Sequence, residues 1–404
     1  MEKNISMKKK ICFYMNTFLV GGIEKVLIEL LENIDKDKFN IKLLIGYNLQ
    51  ELEILKEDIP QNVEIKHLIN EEFLIKGKKK KSSGKMKNYE KILDESLSWI
   101  RKILLKRRLL HYIKNDEIII DFDMTLAPYS KKLKENYKKI ITFCHFSFKN
   151  YNRGIESRQK KLGKRLMNYN RILVISDEMK KEGEEIYPFL KEKFFRIYNS
   201  FDFNKIREKS LQENTIKQKE YLKDNYIVAV GRLEETQKDF TTLIEAYALV
   251  ESKIKEKLFI IGEGRHRKEL ENLVKKLKIE EKVLFMGYQS NPFPWIKNSN
   301  LFVHSSKFEG LPTVLIEAMI LERPIIATDC PTGPKEILEN GKSGILVSIG
   351  NKKELAEKIE KILLNQNFKN EIVENSKKNI KRFDSKIIIE LFENEIMSVI
   401  NDRE

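Results

Sequence analysis

The sequence predicts an α/β protein made of two doubly wound parallel-sheet domains, on three observations. Short apolar runs alternate with stretches of helical periodicity, the pattern of parallel strands joined by crossover helices. Glycine-containing loops recur between a strand and the helix after it, at Gly21-Gly22, Gly231, Gly262 and Gly310. A polar stretch, Asn204 to Asp224, separates two such series, and 404 residues suffice for two or three domains. The predicted layout is a first domain over 1–203, rejoined by a C-terminal helix at about 384–404. A connection follows over 204–224, then a second domain over 225–383.

Composition narrows the class. Hydrophobic residues at 41% and aromatics at 9% supply folded cores. No apolar run reaches the ~18 residues that span a bilayer. Lys8-Lys9-Lys10, the apolar run Ile11 to Val20 and Gly21-Gly22 imitate a secretory leader. Asn16 and Thr17 interrupt that run and a helical pattern follows at once, so strand, loop and helix are expected. Cys12, Cys144 and Cys330 lie far apart without metal-ligand spacing and read as thiols in a reducing cytoplasm. The net charge of +15 is one-sided: residues 1–200 carry 42 Lys/Arg against 28 Asp/Glu. A basic first half suggests an anionic membrane face or a phosphorylated lipid. No helix-turn-helix, zinc-finger or RNA-binding aromatic signature accompanies the charge, which argues against nucleic acid.

In the first domain, Lys10 to Met15 is the first strand and Gly22 to Leu31 an amphipathic helix, apolar at 23, 26, 27, 30 and 31. Glycines in the loop between them allow close approach of a ligand phosphate. Strands follow at Ile41 to Ile45 and Val63 to His67. Lys76 to Lys85 reads as an inserted basic loop, either solvated or touching lipid headgroups. The segment Tyr89 to Lys114 reads as one helix with Trp99, Ile100, Ile103, Leu104, Leu110 and Ile113 on one side and Arg101, Lys102, Lys106, Arg107 and Arg108 largely on others. Such helices can lie in a membrane interface, but the strand Glu117 to Ile120 that follows directly favours a core helix. Asp121-Phe122-Asp123-Met124-Thr125-Leu126 is similar to the nucleophile motif of haloacid-dehalogenase-like phosphatases. Those enzymes also need a downstream pair of acids for magnesium, and no Asp-Asp or Gly-Asp-x-x-x-Asp follows. The remaining strands are Ile140 to Cys144, ending at His145, then Arg171 to Ile175 and Phe194 to Ile197.

The second domain opens with the strand Tyr226 to Val230 and the loop Gly231-Arg232-Leu233-Glu234-Glu235-Thr236-Gln237-Lys238-Asp239. Arg and Lys six apart beside a helix start suit a diphosphate, Arg binding two oxygens and Lys acting as a point charge. Leu258 to Arg265, Val283 to Tyr288 and Arg323 to Asp329 are further strand-and-turn units. Gly341 to Val347 holds a turn and the last strand. The densest stretch is Val303 to Met319: an apolar strand, a polar loop with Gly310, and a helix expected to begin at Pro312. Its first N–H groups have no internal partner and sit at the positive end of the macrodipole, so an anion is held there without a basic side chain. Glu309 precedes that helix and Glu317 lies inside it.

Glu309 and Glu317, with Gly310-Leu311-Pro312 between them, form an E-x7-E pattern. Together with Gly21-Gly22, the Gly231-Arg232-Leu233 to Gln237-Lys238-Asp239 loop and Gly262-Glu263-Gly264, it closely resembles family 4 retaining glycosyltransferases. The resemblance runs over about residues 10–400 and is most specific over 226–347. Relative to the commonest spacing, Thr236 is one residue extra. The resemblance implies a GT-B fold, two Rossmann-like domains facing across a cleft, and a metal-independent enzyme without cofactor. That enzyme would move a sugar from a nucleotide-diphosphate donor, with UDP ahead of GDP, to an acceptor hydroxyl with retention. It implies catalytic roles for Glu309, Lys238, Arg232 and His145. Donor contacts would come from Gly21, Gly22, Gly231, Arg232, Lys238, Gly262, Tyr288, Glu309, Gly310, Leu311, Pro312, Thr313 and Glu317. The acceptor implied is a lipid-linked or lipopolysaccharide glycan, reached from the cytoplasmic side of the plasma membrane. Two alternatives stay open: a phosphatase using Asp121 and Asp123, and a nucleotide-sugar epimerase of the same fold.

Overall fold

The computed structural model describes residues 8–19, 21–82, 87–114, 118–136, 139–212 and 220–402. The chain divides into two compact units. The first takes the chain up to Ile175, Lys180–Ser200 and the segment from Ser385 onward; the second takes Ser176–Met179 and Phe201–Asp384.

The first unit is built on β1 (Lys9–Met15), β2 (Phe39–Tyr47), β3 (Glu64–Ile69), β4 (Ile118–Asp121), β5 (Ile140–Cys144), β6 (Arg171–Val174) and β7 (Phe194–Arg196). They form one parallel sheet in the order β3-β2-β1-β4-β5-β6-β7, with Ile11 opposite both Ile41 and Ile118. Every residue from Ile11 to Met15 is buried, on both faces, as a parallel strand covered by helices on each side requires. Helix α1 (Gly22–Asn33) covers the sheet with Val26, Leu27, Leu30 and Leu31. The C-terminal helix Ser385–Asn401 packs on the same unit. Its Phe392 ring lies 6.2 Å from Phe13 and 5.6 Å from Phe143, and its buried Glu393 accepts from Asp35 N at 2.7 Å and Lys38 Nζ at 2.8 Å.

The second unit carries β8 (Tyr226–Val230), β9 (Lys257–Ile261), β10 (Val283–Gly287), β11 (Leu301–His304), β12 (Ile325–Thr328) and β13 (Ile345–Val347), all parallel in the order β10-β9-β8-β11-β12-β13. Its core joins Ile227, Leu258 and Ile260 to Leu243 and Tyr247 of the helix Phe240–Val250 and to Ile359 and Ile362 of the helix Lys352–Leu364. In each sheet the strand order reverses beside the first strand. Such a reversal leaves a crevice at the carboxyl ends of the strands, the usual ligand position in this architecture.

Three expectations change. Lys76 to Lys81 are not a loop: they lie in helix α2 (Glu72–Ser82), while Ser83 to Lys85 fall outside the described residues. The single helix predicted over 89–114 is two, α3 (Asn88–Ser96) and α4 (Ser98–Tyr112), and its inward stripe is Arg101, Leu105 and Leu109, followed by Ile113. Trp99, Ile100 and Ile103, placed on the covered side from their spacing, are exposed. Apolar residues stand on both sides of this helix, so periodicity alone did not fix the side that packs. The predicted connection begins instead with a helix, Phe203–Lys209, capped by Asp202, and its residues 213–219 lie outside the described set.

Arg101 explains why α2 to α4 hold together. Its buried guanidinium donates to the Asp94 carboxylate and carbonyl in α3 and to the Leu74 carbonyl in α2. A side chain at Gly77 would run into Asp94, so the glycine permits the close crossing. Removing one partner of a buried pair leaves the other uncompensated, at roughly 3–5 kcal/mol. Arg101→Met is therefore expected to loosen this insertion locally: amide exchange over residues 72–112 should accelerate by more than about 100-fold while that of the β-sheets is unchanged.

Candidate functional site

The site grows from two neighbouring strands, β8 and β11. The loop leaving β8 crosses to the one leaving β11 and pairs with it: Lys238 and Ser306 form an antiparallel bridge, Asp239 N donates to Ser305 O at 3.0 Å, and Lys307 N donates to Gln237 O at 2.8 Å. Asp239 then caps the helix Phe240–Val250, accepting from Thr242 Oγ1 at 2.9 Å. The extra Thr236 is absorbed in a turn, where Gln237 N and Lys238 N both donate to Glu234 O. Lys238 consequently reaches Glu309 despite the insertion.

Glu309 is buried among polar partners. Oε1 accepts from Lys238 Nζ and from Ser306 Oγ at 2.7 Å, and His304 Nε2 lies 3.2 Å from both Oε1 and that hydroxyl. Oε2 accepts from Gln237 Nε2 at 3.1 Å. Burial on its own would raise the carboxyl pKa. The Lys238 ammonium and the His304 contact outweigh it and hold the group well below the usual carboxylate range. Burial, and next the Lys238 charge, push the His304 imidazole pKa below its ordinary value. Arg232 is exposed at the rim, with Nη2 3.4 Å from Gln237 Oε1.

The helix after this loop is Thr313–Ile320. Pro312 is its cap and not its first residue, because ψ of 100° keeps it extended. The free N–H end of the helix follows directly on Gly310 and Leu311. Gly333 holds this loop from the next strand: φ is +95°, and a Cβ would come 2.6 Å from Gly310 O. Thr332 Oγ1 also donates to Gly310 O at 2.8 Å. Glu317 is half-buried in the helix. Gly262 has φ +142° and packs against the Gly231 carbonyl, so its part is to let two loops meet. Tyr288 is exposed beyond the end of β10.

The first unit holds the other expected residues. His145 is buried and stacks on Phe143 with ring centres 5.6 Å apart. Its Nε2 has no hydrogen-bond partner among the described residues, and burial pushes its pKa down to about 4. Gly21 caps α1 in an extended conformation against the Glu24 carboxylate, which accepts from Leu19 N at 3.1 Å; nothing crowds Gly22. Asp121 and Asp123 are a structural clamp. Asp121 accepts from Leu126 N and from Tyr169 OH at 2.6 Å, and Asp123 accepts from Asn16 N at 2.8 Å and from Thr125. These bonds tie the end of β4 to the loop after β1 and do not favour the phosphatase alternative.

Comparison with known proteins gives this geometry its family. Residues 211–379 match the model described as "Glycosyl transferases group 1". The second unit belongs to the group 1 glycosyltransferases. The resemblance read from the motifs is thereby borne out. A glycosyltransferase of Methanocaldococcus jannaschii, MJ1059, is 33% identical over 258 residues, 60% of this chain and 63% of that one. A Campylobacter jejuni N-acetylgalactosamine-N,N'-diacetylbacillosaminyl-diphospho-undecaprenol 4-alpha-N-acetylgalactosaminyltransferase is 32% identical over 188 residues, 46% of this chain and 49% of that one. The matches thus span about half to under two thirds of these relatives' lengths. The crystal structure of Anabaena Alr3699/HepE with UDP and glucose aligns with a TM-score of 0.76 at 17% identity, over 96% of this chain and all of that one. The lipopolysaccharide outer core galactosyltransferase WaaB aligns at 0.70 and 20% identity, over 96% of this chain and 99% of that one. Two parallel-sheet units of the GT-B kind are the fold expected from the sequence.

Within the group 1 unit, Lys238 reaches Glu309, Arg232 lies against Gln237, Gly231 is beside Lys238, and Gly310 leads into the Thr313–Ile320 helix. Sequence reasoning passed over Gln237, His304 and Ser306. The available signal was their place, beside Lys238 and at the carboxyl end of a strand, where ligand-facing groups gather. The Glu309 contacts carry a pH signature. Because the folded pKa is depressed, their stabilisation is complete above the unfolded value of about 4.3 and is lost as pH falls below it. The stability gap between wild type and Glu309→Gln, measured by urea unfolding, should therefore narrow steadily from pH 5 to pH 3.

Proposed function

We propose that the protein is a retaining, family 4 glycosyltransferase that uses a UDP-sugar, with GDP the second choice, and needs no metal or cofactor. The observation that carries this reading is the cluster of Lys238 and Gln237 on Glu309, with Arg232 against Gln237 and the helix that starts at Thr313 following four residues after Glu309. The helix N-terminus, Arg232 and Lys238 would take the diphosphate, Glu309 the transferred sugar and Glu317 the ribose. Fixed donors of this kind stabilise the charge that develops on a leaving diphosphate. The bond from the anomeric carbon to the diphosphate oxygen breaks while one to the acceptor oxygen forms on the same face. The acceptor proton passes to the leaving phosphate. UDP in the Anabaena structures supports the choice of base.

The acceptor we infer is a lipid-linked or lipopolysaccharide glycan of a bacterial envelope, a class supported by the names of the Campylobacter relative, of a Staphylococcus aureus capsular polysaccharide glycosyltransferase and of a Rhizobium meliloti lipopolysaccharide core enzyme. The enzyme would meet it at the anionic inner face of the plasma membrane through α3 and α4. Residues 72–112 hold 13 Lys/Arg and four Asp/Glu. Ile92 is 72% and Trp99 71% exposed, with Ile103 also outward. Lys102, Lys106 and Arg107 stand on the outer side of α4 and form no ion pair with described residues. Apolar and basic residues mixed on one helix surface suit the headgroup boundary. No helix among the described residues is long and apolar enough to cross a membrane.

Thermal and urea unfolding with UDP, GDP and ADP in EDTA tests the donor. A nucleotide at about 100 times its Kd should add about 2.7 kcal/mol, and Lys238→Ala should abolish that gain whatever its own baseline. Failure of all three, or a response only with magnesium, would sink the reading. The membrane claim predicts sedimentation with phosphatidylglycerol vesicles and not with phosphatidylcholine ones. At about 1 kcal/mol per basic residue, Lys102→Gln, Lys106→Gln and Arg107→Gln together should weaken binding by roughly 100-fold. Unchanged binding would move the contact elsewhere.

A further inference from the structure

A diphosphate taken by Lys238 would compete with Glu309 for its three N–H donors. In the present structure the Lys238 ammonium sits on Glu309 Oε1, and the proposed function would turn it toward a phosphate. A buried carboxylate deserted by its cation is costly unless other donors remain. Gln237 belongs to the same rim as Arg232, so it too is a candidate to follow the ligand. His304 and Ser306 differ. His304 ends β11, both side chains are buried, and Ser306 is fixed through its backbone, which donates to Thr328 Oγ1 at 2.9 Å and accepts from it at 2.7 Å. Neither is free to leave.

We propose that His304, with Ser306, is the positioning pair that holds the Glu309 carboxylate in place while Lys238 changes partner. The imidazole Nε2 lies 3.2 Å from both Glu309 Oε1 and Ser306 Oγ, and the hydroxyl lies 2.7 Å from the same carboxylate oxygen. The hydroxyl therefore donates to that oxygen and the imidazole backs the hydroxyl from the protein side; with the hydroxyl proton given to Glu309, the imidazole carries its own proton on Nε2. His304 acts through Glu309 and touches no substrate. The inference rests on the donor-site reading above, but the carboxylate's position is a property of the protein alone.

The test uses the full chain and four donors, UDP-glucose, UDP-galactose, UDP-GlcNAc and UDP-GalNAc, with UDP release as the measure of turnover and UDP titration as the measure of binding. His304→Leu should lower kcat by about 100-fold, the scale of a misplaced reacting group, with KM and the Kd for UDP changed less than about twofold. His304→Gln, whose amide N–H reaches a similar point, should recover most of the loss. In a Glu309→Gln background His304→Leu should cost nothing further. A rise in KM alone, no difference between Gln and Leu, or multiplying losses would overturn the proposal. If His304→Leu does not fold, Ser306→Ala and His304→Gln carry the same comparison. If wild type releases UDP from none of the donors, the donor reading fails. Crystal structures of wild type and His304→Leu then decide the pin alone: a Glu309 carboxylate unmoved in the variant refutes it.

Discussion

The second unit depends on one ion pair, Lys238 with Glu309, and on what makes it tolerable. A carboxylate taken out of water is strongly disfavoured unless donors replace its hydration. Here a lysine, a serine and a glutamine do so, with a histidine close behind the serine. These three donors come from the two crossing segments, Gln237 and Lys238 on one and Ser306 on the other. The backbone bonds that join those segments therefore set the geometry of the charges as well. In the donor-site reading proposed above, a diphosphate would compete with Glu309 for Lys238, and its affinity would depend on how well Glu309 is held by its remaining partners.

Sheet topology brings those segments together. Because β8 lies between β9 and β11, the loops that leave β8 and β11 emerge side by side, although they are about 70 residues apart in sequence. Glycines then set the distance of approach. Gly262 lets the loop after β9 touch the Gly231 carbonyl, and Gly333 lets the loop after β12 touch the Gly310 carbonyl. Some glycine turns of the sequence thus serve to leave room for another loop, and Gly262, read from the sequence as a donor contact, is one of them.

The parts legible in the sequence were those with local causes. Strands buried on both faces read as apolar runs, and Arg232, Lys238 and Glu309 stood out through the resemblance of several motifs, in order along the chain, to family 4 glycosyltransferases. His304 and Ser306 were not legible, because their importance lies in a contact with Glu309 that only the loop's path reveals. The two aspartates of Asp121-Phe122-Asp123 failed in the opposite direction. Their spacing suggested chemistry, but backbone amides and the Tyr169 hydroxyl already occupy them. Helix α4 misled for a third reason: with apolar residues on both sides, the inward side is chosen by Arg101 reaching Asp94 and Leu74, which no periodicity records.

Arg101 also separates two uses of positive charge in the same insertion. Its own charge is spent inside, joining α2, α3 and α4, and Arg108 and Lys80 are likewise engaged by Glu71 and Glu90. Lys102, Lys106 and Arg107 point outward beside Trp99 and Ile103, where they do nothing for the fold that the described contacts reveal. An insertion that only filled space would not need a Trp and an Ile in water next to three cations, since each exposed apolar side chain forgoes burial worth about 1.5–3 kcal/mol. The arrangement makes physical sense when that surface has a second, less aqueous neighbour of negative charge. The insertion and the Lys238–Glu309 cluster belong to different units, so in the function proposed above attachment to a surface and handling of a nucleotide sugar would rest on separate sets of residues.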